Sequence, residues 1–569
     1  MVLNNKKEYV QLGLIIFFFL SIEIPGLKWG LPDKKIKNLY FSTDNEIKEF
    51  ISNVGKEYVE KSWEISKTED ISNKLQRSIF NPIRSFHPDE EIILKSISNM
   101  KPQNLNFNPH FFEYPSLYIY LIALNLFICS IFGIIHLEKN LLYYFLNPGE
   151  MAKLYLVGRI TTLLFSLLCI IFLFLATSEL FKNKKIGIIS SLILTLNPLF
   201  VLNSHYLTVD IPMVFFGILT AYFCVKYYKE EKIMWIYFAS ISAGLSAATK
   251  YPGLAFWFVI PAILLYQKDK EKVKHILISF FIFIMIFLLT NPYIMLSFNE
   301  FKNDFLERVI MRRGVGINFL SSILMNFKNL FFALKISTTN LFFILIICAF
   351  LFAFWNFNKK ELKIPFLFII FFCLPLFLSS GFKYGRYYLP LFPFLSMIIG
   401  FTIYNISYYF KHKVVITLIF SIFLTHILIK GIAYGKNMSE KDIRIISGEY
   451  ISNNIKSSST IVFTKSPWIF EVPPVNLFRY NVLIVDENNL KEVEKGSYLI
   501  LGELQYFLTS GSRDKLEKEI ISEMENYGFY LKKVFVKDPE VFNIKFDTNI
   551  IIHDMLYTHP KIFLFQKYE

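Results

Sequence analysis

Long apolar runs alternate with short polar connections along most of the chain, and the pattern changes character only near residue 433. Runs of about 20 apolar residues suffice, as helices, to cross a hydrocarbon core of about 30 Å. They predict spanning helices at about 9–26, 154–181, 186–204, 210–228, 234–249, 252–267, 275–292, 338–357, 364–381, 388–410 and 414–432. Asn4-Asn5-Lys6-Lys7 ahead of the run from Leu12 to Leu20 reads as a retained first helix, not a cleaved signal. Beyond residue 432 the runs shorten to strand length: Thr460-Ile461-Val462-Phe463, Val482-Leu483-Ile484-Val485 and Tyr498-Leu499-Ile500-Leu501. They alternate with charged helical stretches such as Ser512 to Glu525, which predicts a small α/β domain over 433–569. No internal repeat is visible.

The connections decide which way the chain faces. Five of them are strongly basic: Lys182 to Lys185, Lys226 to Lys232, Lys268 to Lys274, Lys359 to Lys363 and Lys411 to Lys413. With a cytoplasmic N-terminus and 11 spans, all five face the cytoplasm, as positive-inside asymmetry requires. Residues 115–137 are apolar enough to span, but a crossing there would turn all five outward, so they are expected to lie in or dip into the outer interface. The alternative is a true span with parity restored by a re-entrant pair elsewhere. Three regions then lie outside: a long first loop over 27–153, the segment 293–337 with Arg308, Arg312 and Arg313, and the domain at 433–569. The expectation is a polytopic α-helical membrane protein, with a transmembrane domain over 1–432, in-plane helices in its first outer loop, and an extracytoplasmic α/β domain.

Composition agrees: 54% of the 569 residues are hydrophobic, 18% aromatic and only 19% charged. The net charge of +14 raises the question of nucleic acid. Residues 433–569 hold 17 Lys/Arg against 19 Asp/Glu, so the excess sits in the short loops of the membrane part, and no nucleic-acid partner is expected. The five cysteines all fall in apolar segments, at spacings that exclude a disulfide framework or a CxxC metal pair. A composition rich in Lys, Ile, Asn and Phe suggests an AT-rich genome and a prokaryotic plasma membrane.

Sorting ionisable residues by side gathers them at one membrane surface. His87-Pro88-Asp89-Glu90-Glu91 lies in the first outer loop, and Ser204-His205-Tyr206 leads to Asp210 between two spans. Thr249-Lys250-Tyr251-Pro252, the run Lys383-Tyr384-Gly385-Arg386, and Arg159 at the entry of the second span share that face. A charge inside a span costs about 2.5–3.5 kcal/mol on insertion scales, so such a gathering invites a functional reading. A carboxylate can take a proton from an attacking hydroxyl or amine, while Lys and Arg can hold a phosphate. Asp89 is the strongest base candidate, and Asp210 could position an acceptor or a metal. Each residue also has a plainer reading. Asp89 and Glu90 suit the first turn of a helix after Pro88, Asp210 could cap a helix, Lys250 and Lys383 could snorkel, and His205 could bond a loop carbonyl. His110 and Glu113 are weaker candidates, and His553-Asp554 with His559 is expected on a surface loop.

Trp29-Gly30-Leu31-Pro32, His87-Pro88-Asp89-Glu90 and Tyr114-Pro115-Ser116-Leu117 resemble the first luminal loop of GT-C glycosyltransferases, in the branch of protein O-mannosyltransferases and bacterial aminoarabinose transferases. Gly158-Arg159, Ser204-His205-Tyr206 with Asp210, Ala248-Thr249-Lys250-Tyr251, and Arg386-Tyr387 with Leu389-Pro390 fit the same pattern, over about 10–410. The resemblance implies inverting transfer of a sugar from a polyprenyl-phosphate donor to an extracytoplasmic protein, lipid or glycan acceptor. Asp89 would be the base with Glu90 beside it, Asp210 a second acidic position, and Lys250 and Arg386 contacts of the donor phosphate. His87, Arg159, His205, Tyr251 and Lys383 would line the substrate site. About 55 residues separate the Trp-Gly-Leu-Pro and His-Pro-Asp-Glu motifs, more than the family pattern leads one to expect. Some GT-C enzymes use a divalent metal, and the sequence leaves that cofactor open. The competing reading is a transporter or flippase of a lipid-linked glycan, which calls for polar residues near the midplane and two related halves.

Overall fold

The structure is a computed structural model that describes residues 5–54, 82–267, 270–306, 319–378, 384–409, 412–464, 468–506 and 512–568. Arg308, Arg312, Arg313 and Lys383 lie outside the described residues. The chain forms two compact units. The first comprises Met1–Ile24, Ile92–Asn125 and Gly158–Gly435; the second comprises Pro25–Glu91, Leu126–Val157 and Lys436–Glu569. Most of the described residues between 27 and 153 thus cluster with the C-terminal domain.

The first unit is helical. Among the described residues six helices are long and apolar enough to cross a membrane: Lys7–Gly26, Pro148–Phe181, Asp210–Glu230, Lys272–Leu289, Gly385–Tyr409 and Lys413–Asn454. A seventh crossing is available if the pair Lys184–Leu196 and Pro198–Ser204, bent by 68°, counts as one. The bend has a local cause. Pro198 has no N–H to donate, and the Asn197 side chain accepts from Leu199 and Phe200 N–H, so a new helix starts there. The remaining expected spans are also helical but shorter, at Met234–Thr249, Val259–Tyr266, Asn340–Trp355 and Lys363–Leu378. Leu117–Ile131, the segment with contested side, has 15 residues. That is about 22 Å of helix, short of a hydrocarbon core.

Burial grades these helices by position. Gly385–Tyr409 lies inside, with 89% of its most apolar stretch buried, whereas Lys272–Leu289 has 11%. On the latter Leu277, Phe281 and Leu289 are each more than 60% exposed. Large apolar side chains along one helix face suit lipid, not water. Between helices the core is aromatic, with Phe256 stacked on Phe372 and Phe368 on Phe394. The Ser279 hydroxyl, accepting from Trp257 and Ser240, satisfies polar atoms in that apolar setting.

The second unit carries a five-stranded sheet. Its strands are β1 (Thr460–Phe463), β2 (Asn481–Ile484), β3 (Tyr498–Gly502), β4 (Phe529–Phe535) and β7 (Ile562–Lys567), in the order β2-β1-β3-β7-β4; β5 (Glu540–Val541) and β6 (Ile544–Lys545) pair separately. β1 runs parallel to β2 and β3, and β7 antiparallel to β3 and β4. The helix Arg513–Asn526 starts where Ser512 accepts from Lys515 N–H. Arg513, fully buried, holds Glu503 at 2.8 Å and Asp538 at 2.7 Å. The first-loop helices Lys34–Tyr40 and Asp44–Val54 belong to the same unit, tied in by Phe41 against Phe478 and by Asn476 on the Ser42 hydroxyl.

Candidate functional site

In the first unit three sequence-selected residues meet. Asp210 opens the helix Asp210–Glu230, but its side chain makes no capping bond, the N-cap position being Val209. Instead its Oδ1 accepts from Lys250 Nζ at 2.6 Å, and Arg386 Nε lies 4.0 Å from Oδ2. Lys250 follows the helix Met234–Thr249 in an extended conformation ahead of Tyr251-Pro252, which turns its side chain out of the helical path. Arg386 comes from the 3-10 turn Gly385–Leu391. All three are almost fully buried, so Lys250 does not snorkel. Tyr114 and Tyr387 place their rings 5.7 and 5.1 Å from Lys250 Nζ, and Tyr384 lies 4.6 Å from the Arg386 guanidinium. One carboxylate thus faces two cations here, and Lys and Arg side chains attract an anion.

The other positions in this unit do different work. His205, at the end of the bent pair, donates from Nδ1 to the Val201 carbonyl at 2.9 Å, and Glu23 Oε2 lies 2.8 Å from the same atom. Both side chains are fully buried. Glu23 escaped the sequence reading, although an acidic residue inside the first apolar run was a visible signal. Arg159 is fully buried, and a Cβ on its neighbour Gly158 would meet Leu207 at 2.4 Å, so only glycine lets the two segments approach. Tyr251 donates to the Phe112 carbonyl at 2.9 Å, and His110 pairs with Glu300 at 2.8 Å. Glu113 is half-buried, and Lys383 is outside the described residues.

Asp89, Glu90 and His87 belong to the second unit. Pro88 starts the helix Pro88–Ser98, whose first turn holds Asp89, Glu90 and Glu91. Negative charge there is stabilised by the helix N-terminus. Glu90 is fully buried, Asp89 is partly exposed, and Glu91 pairs with the buried Arg84 at 2.6 Å. His87 Nδ1 accepts from Asp89 N–H at 3.3 Å. The long insertion leaves the two motifs in contact: Phe86 N–H donates to the Gly30 carbonyl at 3.0 Å, and the Trp29 and Phe86 rings lie 6.3 Å apart. Gly30 has φ of +60° and faces Phe86, whose Cβ would lie 2.8 Å from an added Cβ.

His553, Asp554 and His559 are buried, which corrects their expected place on a surface loop. The 3-10 turn His553–Thr558 carries Tyr557, whose ring meets His87, Phe470 and His553, and the turn is pulled inward by that aromatic packing. Arg444 donates to the Tyr557 and Phe470 carbonyls and pairs with Asp442, while its guanidinium covers Phe86 at 4.2 Å and Trp29 at 5.4 Å. Burial pushes the Tyr40 phenol well above its ordinary range, against the lowering pull of Arg444 and Arg84. Among the described residues no group of three or more His, Cys, Asp or Glu is placed to hold a metal ion.

Comparison with known proteins adds the following. A protein of Aquifex aeolicus without an assigned function is 27% identical over 215 residues, 34% of this chain and 42% of that relative, so the match spans less than half of the relative's length. Solved structures that resemble the chain include ArnT from Cupriavidus metallidurans bound to undecaprenyl phosphate, at a TM-score of 0.42 and 10% identity, covering 97% of each chain. The oligosaccharyltransferase of Archaeoglobus fulgidus in its apo form scores 0.43 at 11% identity, covering 83% of this chain and 65% of that one. Residues 104–302, which include Arg159, His205, Asp210 and Lys250, match the family of dolichyl-phosphate-mannose-protein mannosyltransferases, in keeping with the GT-C resemblance drawn from the motifs.

Proposed function

We propose that the protein is a membrane glycosyltransferase that moves a sugar from a polyprenyl-phosphate donor to an acceptor on the outer face of a prokaryotic plasma membrane. The observation that carries this reading is the buried Asp210–Lys250–Arg386 cluster, two cations brought to one carboxylate and walled by tyrosines. Two of its members lie in the segment matching a family named for a dolichyl-phosphate sugar donor and a protein acceptor. Lys250 and Arg386 hold the donor phosphate, and Asp210 keeps the two cations at one place by serving both. Arg159, His205 and Tyr251, in the same unit, are substrate-binding residues. In the second unit Asp89 is the base, with Glu90 and His87 beside it. A hydroxyl or amine of the acceptor attacks C1 of the sugar, its proton passes to Asp89, and the C1–oxygen bond to phosphate breaks with inversion. Polyprenyl phosphate leaves, its charge stabilised by Lys250 and Arg386. The N-terminus is cytoplasmic, 11 helices cross, and Leu117–Ile131 stays at the outer interface, a parity that keeps the five basic connections inside.

The test is sugar release from a panel of polyprenyl-phosphate monosaccharides, comparing wild type with Asp89→Asn. Turnover of one donor, lost by at least about 100-fold in the folded mutant, supports the transferase and its base. If no donor is consumed while lipid-linked sugar crosses reconstituted vesicles, the transport reading replaces it.

A further inference from the structure

His87 and Tyr557 are 470 residues apart in number but meet edge to face, with ring centroids 5.3 Å apart and planes at 69°. The Tyr557 ring is itself fixed on two more sides, by Phe470 at 5.9 Å and His553 at 5.3 Å. Its carbonyl accepts from Arg444 Nη2 at 2.7 Å, and that guanidinium lies 4.2 Å from the ring centre of Phe86, the residue before His87. The His87 ring in turn accepts the Asp89 N–H at Nδ1, so it caps the start of the helix Pro88–Ser98. A cap of this kind holds only while the ring keeps its orientation. The chain of contact therefore runs from the C-terminal sheet, through Tyr557 just ahead of β7, to the His87 ring and on to the backbone of Asp89. All of it lies within the second unit.

We infer that Tyr557, braced by Arg444, is a positioning residue for Asp89: the C-terminal domain sets the orientation of the base. This rests on Asp89 acting as the base. A ring that no longer held His87 would let the first helical turn shift, and a displacement of about 1 Å at a reacting group costs roughly 100-fold in rate. The experiment compares full-length Tyr557→Leu, which keeps bulk without a ring, Tyr557→Phe, which keeps the ring, and Asp89→Asn. Hydrogen exchange of the amides at 87–91 is followed in detergent without substrate, and kcat and KM are measured with the donor that wild type consumes. Tyr557→Leu should speed exchange at 87–91 and lower kcat about 10- to 100-fold while the donor KM stays within about twofold. Tyr557→Phe should restore both. Unchanged exchange and kcat in Tyr557→Leu overturn the proposal, as does a loss spread over the whole unit that Tyr557→Phe does not repair. If Asp89→Asn keeps its turnover while Tyr557→Leu behaves as stated for exchange, the base assignment fails and the bracing of the helix start stands.

Discussion

Lys250 and Asp210 offer a prediction in which two substitutions at one ion pair act with opposite sign on donor binding. The pair is 2.6 Å apart, with side chains 3% and 2% exposed, and Arg386 stands 4.0 Å from the other carboxylate oxygen. With an effective dielectric constant of about 20, the two attractions are worth about 6 and 4 kcal/mol before desolvation is charged against them. Desolvation offsets most of this, yet removing one partner leaves the other buried without its main counterion and costs about 3–5 kcal/mol. Lys250→Gln should therefore lower thermal stability, and so should Asp210→Asn, which leaves two cations facing each other. The double variant should recover much of the loss, because two neutral amides can bond. Binding separates the pair. Lys250→Gln takes one positive charge from the cluster and removes a charge-assisted bond worth about 1.5–3 kcal/mol, so undecaprenyl phosphate should bind about 10- to 150-fold more weakly. Asp210→Asn makes the cluster more positive, and the same lipid phosphate should bind at least as tightly as to wild type. Calorimetry of the folded detergent-solubilised variants with undecaprenyl phosphate reads both. Weaker binding in Asp210→Asn, or unaltered binding in Lys250→Gln, refutes the reasoning that this cluster works as a cation for phosphate.

Three further outcomes follow from the structure. Gly30→Ala should destabilise by about 1–3 kcal/mol, read as a lowered melting temperature, since a Cβ meets Phe86 and the backbone has φ of +60°. Arg513→Met should cost about 3–5 kcal/mol, because Glu503 and Asp538 would stay buried without their shared cation; Glu503→Gln combined with it should restore part of that. The Tyr40 phenol, raised by burial above its ordinary 10.0, adds stability that is present below about pH 10 and lost as pH rises further. Wild type should thus lose more melting temperature than Tyr40→Phe between pH 9 and 11, values chosen to bracket the ordinary phenol range.

Much of this protein follows from one-dimensional pattern. Every apolar run expected to span contains helix, because backbone polar groups in hydrocarbon must be satisfied within their own segment. In the C-terminal domain β1 and β3 fall where short apolar runs put them, and β2 is offset by one residue. β4 and β7 went unread. The run Phe529–Phe535 is interrupted by Lys532 and Lys533, and its pairing slips between Leu531 and Lys533, which breaks the alternation that marks a strand. β7 is a short continuous apolar run, a pattern that strands and buried helices share.

The candidate residues divide in the same way. Composition and loop charge, which are sums along the chain, suffice for the membrane class and for an expected side of the polar motifs, because insertion energy and positive-inside asymmetry depend on local sequence alone. Partners do not follow from such sums. That Lys250 is held by Asp210 instead of snorkelling, that Glu23 meets His205, and that His553 and His559 lie inside all depend on segments far apart in number that fold against each other. The same holds for Trp29 and Phe86, which the insertion between their motifs separates along the chain and the fold brings into contact. A buried charge is tolerable only beside its counterion, and which counterion arrives is decided by packing in three dimensions.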